Sequence, residues 1–270
     1  MRLQPLQGKR GARRVPVLLL IPAVFAIVFL VVPIIGLLQK VVWGDLFHDL
    51  TTPQARAAIA LSLRCSLWAT VLAVLFGVPL AWLLARVEFR GRAVVRALAL
   101  LPLVLPPVVG GVALLSAFGR RGLIGEPLDA AFGIHFTFTA TGVVLAETFV
   151  ALPFVVITVE AALRAMDRRL EDAASTLGAS RFTVLRRITF PAIAPALAGG
   201  VALAWARALG EFGATITFAG NIEGRTRTAP LAVYLLLDSQ PQTAIALSLV
   251  MVAICIGVLT LLRGRWLVRQ

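Results

Sequence analysis

Charge is scarce in this sequence. Only 14% of its 270 residues are charged, against about 25% in an ordinary soluble domain. Lysine is nearly missing. Lys9 and Lys40 are the only two, and they are followed by Arg10 and Val41. Neither can close a Gly-x4-Gly-Lys-Ser/Thr phosphate loop, so the chain has no nucleotide site of that kind. Cysteine is limited to Cys65 and Cys255, both inside apolar runs. They read as small buried hydrophobes and exclude a disulfide framework. Histidine is limited to His48 and His135, far apart in the chain. No cluster of His, Cys and carboxylates has metal-ligand spacing. Neither a His-Glu-x-x-His motif nor a Gly-x-Ser-x-Gly elbow is present, which leaves little support for an enzyme. The expectation is no catalytic residue, no metal and no cofactor held by this chain.

What is abundant is apolar surface. Hydrophobic residues make up 59% of the chain and mean hydropathy is +0.92. A soluble fold of this size has nowhere to hide that surface, whereas a bilayer does. The net charge of +13 could serve nucleic acid, but the arginines sit in short segments between apolar runs, with no separate basic domain. Nucleic acid is therefore not an expected partner. The lipid bilayer is.

Six stretches are long and apolar enough to cross about 30 Å of hydrocarbon. They are Val15–Leu38, Leu61–Ala85, Val94–Phe118, Ala140–Leu163, Ala192–Gly213 and Thr243–Leu262. The third and fourth carry prolines, at Pro102, Pro106, Pro107 and Pro153, which bundles tolerate where neighbours satisfy the freed backbone. Arg10, Arg13 and Arg14 ahead of an apolar run resemble a cleavable signal. The run is too long for a signal core and is followed by five more spans, so it reads as a retained first helix. The expected organisation is a basic tail (1–14), a membrane domain (15–262) and a second short tail (263–270).

Eighteen basic residues lie in the two tails and in the second–third and fourth–fifth connections, and six in the other connections. The positive-inside rule then places both termini in the cytoplasm. No internal repeat is visible, which counts mildly against a secondary carrier.

The fourth–fifth connection, about 164–191, is the most informative segment. From Arg168 to Leu177 it reads as a short amphipathic helix, with Leu170, Ala173, Ala174 and Leu177 on one face. Gly178 is placed to end that helix in a left-handed turn. A second short helix, Arg181 to Thr189, leads to Pro191, which suits the first turn of the next span. Two readings are open: an interfacial helix lying on anionic lipid, or a docking element for a cytoplasmic partner.

The segment Asp172-Ala173-Ala174-x3-Gly178-x9-Ile188-x-Phe190-Pro191 resembles the EAA loop of binding-protein-dependent ABC importer permeases. Asp172, beside Glu171, stands where that pattern has Glu, and Phe190 where it has Leu. The resemblance implies an all-α, six-helix type I importer permease fold. In it, Glu171, Asp172, Ala173, Ala174, Gly178, Ile188 and Pro191 belong to a cytoplasmic loop coupling the spans to a separate ATPase subunit. ATP and Mg would be bound by that partner. The resemblance also implies a second copy of the chain, an extracytoplasmic oxyanion-binding protein, and the prokaryotic cytoplasmic membrane as location.

A second motif lies in the fifth span. Arg207 and Glu211 are four residues apart, and charges inside a span are costly enough to be paired or to face a cavity. The pair reads either as a packing device or as part of a substrate path. The stretch Ala206 to Thr215 resembles molybdate, tungstate and sulfate importer permeases, and Ile216 to Tyr234 resembles the molybdate branch. The implied cargo is molybdate, with sulfate, thiosulfate or tungstate as alternatives. A channel or carrier independent of ATP is a more remote one. Thr215 and Thr217 are candidates for lining the path, since an oxyanion path prefers hydroxyls and backbone N–H groups to free carboxylates. Ser116, Glu147, Thr148, Thr158 and Glu160 are further polar groups within the spans. The hydroxyls are expected to bond backbone carbonyls.

Overall fold

The structure is a computed structural model that describes residues 17–266. The expected tail 1–14, with Arg2, Lys9, Arg10, Arg13 and Arg14, and the terminal Arg269 lie outside the described residues. All regular structure among the described residues is helical. Helix α1 (Val17–Gln39) forms a unit by itself. It is about 35 Å long and carries Pro22 and Pro33 within its length.

The second unit starts at Val42. A short α2 (Leu46–Thr51) precedes α3 (Pro53–Arg86), a helix of 34 residues. The side chain of Thr52 caps α3 by accepting the Ala55 N–H at 3.3 Å, and Pro53 takes the first turn. Next come α4 (Arg92–Val104), α5 (Pro107–Phe118), α6 (Gly125–Phe132) and α7 (Ala140–Ala165). After α7 the chain forms α8 (Arg169–Thr176) and α9 (Arg181–Val184), then a π turn (Leu185–Thr189) running into α10 (Phe190–Leu209). The last elements are α11 (Gly213–Phe218), α12 (Ala229–Ser239) and α13 (Pro241–Trp266).

Five helices among the described residues are long and apolar enough to cross a membrane. The third expected span, Val94–Phe118, is not one of them. It is broken into α4 and α5, about 20 and 18 Å long, and neither crosses about 30 Å unaided. The cause is Pro106-Pro107. Each proline forces the residue before it out of helical geometry, and Leu105 and Pro106 are both extended, with ψ of 133° and 132°. Pro107 then opens α5, where its missing N–H costs nothing. The fifth expected span also shifts. It starts at Arg181, continues through the π turn and stops at Leu209 rather than Gly213. An α-helical Pro191 would press its ring on the carbonyl of Arg187, and widening the preceding turn relieves that clash.

Helix α7 is the centre of this unit, packed chiefly between α3 and α10, with α4 and α11 also against it. The seam is built of small and β-branched residues. Ala69, Ala73, Ala81 and Ala85 of α3 meet Val155, Val156 and Val159 of α7, with Ala204 and Ala208 of α10 closing the cluster. In lipid, helices gain nothing by hiding apolar surface from each other, so close van der Waals packing and buried hydrogen bonds must hold them. The hydroxyls follow the expectation: those of Thr148 and Thr217 donate to the carbonyls of Val144 and Gly213, at 2.7 and 2.8 Å. Between helices, Trp205 Nε1 donates to Ser66 Oγ at 3.0 Å, and the Ala229 N–H donates to Ser62 Oγ at 2.7 Å.

Candidate functional site

The end of α3 is where charge gathers. Its last carbonyls lack helical partners, and guanidinium groups supply them. Arg92 Nε donates to the Leu84 carbonyl at 2.8 Å, Arg164 to the same oxygen at 3.3 Å, and Arg168 to the Ala85 carbonyl at 3.3 Å. Cations also suit the negative end of the helix dipole. Glu160 joins this belt. Its Oε1 pairs with Arg96 at 2.5 Å and with Arg164 at 2.8 Å, tying α4 to α7. Glu160, visible in the sequence only as a polar group within a span, is thus doubly paired.

Helix α8 hangs from this belt by Glu171. One carboxylate oxygen lies 3.1 Å from Arg86 Nη2 at the end of α3. The other accepts the Thr189 hydroxyl of the π turn at 2.6 Å. Glu171 thus faces inward, while Asp172 and Ala173 face outward and Ala174 is half-buried. The outward stripe is Leu170, Ala173 and Leu177, at i, i+3 and i+7. Leu177 is 89% exposed. Sequence periodicity put Ala174 on this stripe as well, but the helix turns it toward the bundle. Gly178 has φ +83°, the left-handed turn expected of it, where any Cβ would be strained. Ser180 then caps α9 by accepting the Thr183 N–H at 3.2 Å. Ile188 is half-buried within the π turn, and Pro191 is exposed in the first turn of α10.

The Arg207–Glu211 pair exists, but not on one continuous helix. Helix α10 ends at Leu209, and Glu211 lies in the break before α11. Its Oε2 is 2.5 Å from Arg207 Nη2, and its Oε1 accepts the Ala214 N–H at 2.7 Å. Glu211 therefore bridges two helices, holding the side chain of one and a free N–H of the next. It is 1% exposed, whereas the Arg207 side chain keeps 30%. Thr215 is completely buried and its hydroxyl has no hydrogen-bond partner. Glu147 of α7 is 1% exposed, and its Oε2 is also unpartnered. The Thr217 hydroxyl is committed to its own helix, and its Cβ lies 2.7 Å from where a Cβ on Gly111 would sit. That contact seats α11 on α5. No group of three or more His, Cys, Asp and Glu residues able to hold a metal occurs among the described residues.

Sequence reasoning missed Arg86 and Thr189 as the partners of Glu171. Arg86 was visible only as one basic loop residue among many. It also passed over Arg64, a lone charge in α3.

Comparison with known proteins fits this geometry. The molybdenum transport system permease protein ModB of Mycobacterium tuberculosis is 50% identical over 236 residues, covering 87% of this chain and 88% of that one. The sulfate transport system permease protein CysT of Escherichia coli K12 is 38% identical over 217 residues, covering 79% and 78%. Among solved structures, a bacterial ABC transporter that imports the acidic polysaccharide alginate shares the fold. Its TM-score is 0.69 at 21% identity, covering 93% of this chain and 95% of that one. The family described as binding-protein-dependent transport system inner membrane component matches residues 77–269. That span takes in the whole α8–π turn assembly and the Arg207–Glu211 break, and the chain belongs to this family of transport system inner membrane components.

Proposed function

We propose that the chain is the membrane-spanning permease of an ATP-driven importer, and that its cargo is molybdate. The observation that carries this reading is its greater likeness to the molybdenum permease than to the sulfate one, over nearly the whole chain. The α8 assembly supports the mechanism. Its outward apolar stripe suits a groove on an ATPase subunit, which would bind the ATP and Mg. Its inward face is fastened by Glu171 to Arg86 and Thr189. Closing of the ATPases would push α8, and the tether would pass that push to α3 and α10. Two copies of the chain would form the path, an extracytoplasmic protein would deliver the anion, and both termini would lie in the cytoplasm. In the path, Thr215 is the stronger of the two threonine candidates, because its hydroxyl is uncommitted. Arg207, whose side chain stays 30% exposed, is the cation closest to it in sequence.

The test is uptake into proteoliposomes holding this chain, its ATPase and its binding protein, with ATP inside. Molybdate should accumulate only with ATP and should resist excess sulfate. Suppression by sulfate would move the cargo to sulfate or a broader oxyanion set. Uptake without ATP would overturn the importer reading in favour of a channel or carrier.

A further inference from the structure

Arg64 and Arg225 line one cleft of about 790 Å³, on the α3 and α7 side of the bundle. Neither has a carboxylate within 4.0 Å among the described residues. Glu223, the acid closest to Arg225 in sequence, is taken by Arg227 at 2.8 Å. Both are exposed, and two cations on the rim of one cleft make it a favourable seat for an anion. The level of the cleft indicates which anion. Arg64 lies 22 residues before Arg86 on the same helix, about 33 Å along its axis. That is close to the thickness of the hydrocarbon layer, about 30 Å, which sets Arg64 at the level of the polar boundary opposite α8. Trp68, one turn further in, occupies the level where interfacial tryptophans gather.

The cleft is also graded in polarity. At the Arg64 level it carries Thr139 and Thr141, whose hydroxyls are 2.7 Å apart at the start of α7. There the free N–H groups of a 26-residue helix favour negative charge. About 12 Å deeper along α3 the lining becomes Leu72, with Val144 and Leu145 from α7. A phosphate at one end and an alkyl chain at the other satisfy both halves. A free oxyanion would leave the apolar half empty.

We propose that this cleft binds an anionic phospholipid, with its phosphodiester between Arg64 and Arg225 and an acyl chain against Leu72, Val144 and Leu145. The bound lipid bridges α3, α7 and the 219–228 connection at the membrane boundary away from the coupling helix.

Native mass spectrometry of the intact transporter complex tests this. The complex is stripped of lipid in detergent, then titrated with phosphatidylglycerol or phosphatidylcholine. Wild type should retain phosphatidylglycerol at least tenfold better. Arg64→Gln and Arg225→Gln should each weaken retention about fivefold, and together by roughly 25-fold. Arg64→Lys, which keeps the charge, should stay within about twofold of wild type. Equal retention of the two lipids by wild type would overturn the proposal without any variant needing to fold. So would loss of phosphatidylglycerol on adding millimolar molybdate or phosphate, which would make the cleft a free-anion site. ATP-driven molybdate uptake is scored separately, so failure of the lipid site leaves the importer reading standing.

Discussion

Glu171 shows how much one carboxylate can decide. The family resemblance put it in a docking loop, and its carboxylate turns away from the outward apolar stripe of α8. It holds two membrane elements at once, the end of α3 through Arg86 and the π turn through Thr189. The pair is largely enclosed, with Arg86 9% and Glu171 20% exposed, so losing one partner strands the other. Glu171→Gln should leave membrane insertion and the partner's ATP hydrolysis in place and lower ATP-driven uptake by tenfold or more. The charge-swapped double variant Glu171→Arg with Arg86→Glu should recover part of it. Uptake by Glu171→Gln within twofold of wild type would remove the tether from the mechanism. Changes along a coupling route commonly shift coupling by about 0.5–2 kcal/mol, which spans that tenfold effect. Asp172, one position on, makes no side-chain bond among the described residues and remains a docking candidate.

At the scale of elements, the long helices were legible because length and hydropathy determine them: α1, α7 and α13 fall within a few residues of expectation. The break at Pro106-Pro107 was visible as residues but not as a consequence. Bundles tolerate prolines, and only local geometry shows whether a given pair bends a helix or ends one. The short helices α2, α6, α11 and α12 escaped because they are too short to show a long apolar period and none has an N-cap side chain bonded to its first turn. The Glu211 site escaped for a related reason: i, i+4 spacing implies a shared helix face, and here the helix ends between the two residues. The α5–α11 contact tests the packing account. A Cβ on Gly111 would meet Thr217 Cβ at 2.7 Å and the Ala214 carbonyl oxygen at 2.9 Å. Gly111→Leu should destabilise the detergent-solubilised protein by about 1–3 kcal/mol or more, seen as a lower thermal midpoint. Gly257→Leu, a position with open space around its missing Cβ, should shift it little.

For the whole molecule, the arginine belt at one end of the bundle and the Arg64 level about 33 Å away define two boundaries. The belt is the richer in positive charge, so the positive-inside rule predicts it on the cytoplasmic side. Single cysteines, introduced after replacing Cys65 and Cys255 with alanine, check this. In intact cells, Asp129→Cys in α6 should react with an impermeant maleimide. Ser175→Cys in α8 should react only after the membrane is opened. The reverse pattern would invert the topology and remove α8 from contact with a cytoplasmic ATPase.

Helix α3 runs through both levels and carries Pro79 near its Arg86 end. A proline inside a helix removes one backbone bond and makes the natural place to bend. Seven residues, about 10 Å, separate Pro79 from Arg86, and twenty-six, about 39 Å, separate it from Pro53. Pivoted there, the helix is a lever with unequal arms. A nudge of about 1 Å from α8 at the short arm becomes a sweep of about 4 Å at the far end, so gearing of this kind would let a small stroke of the motor open a large mouth.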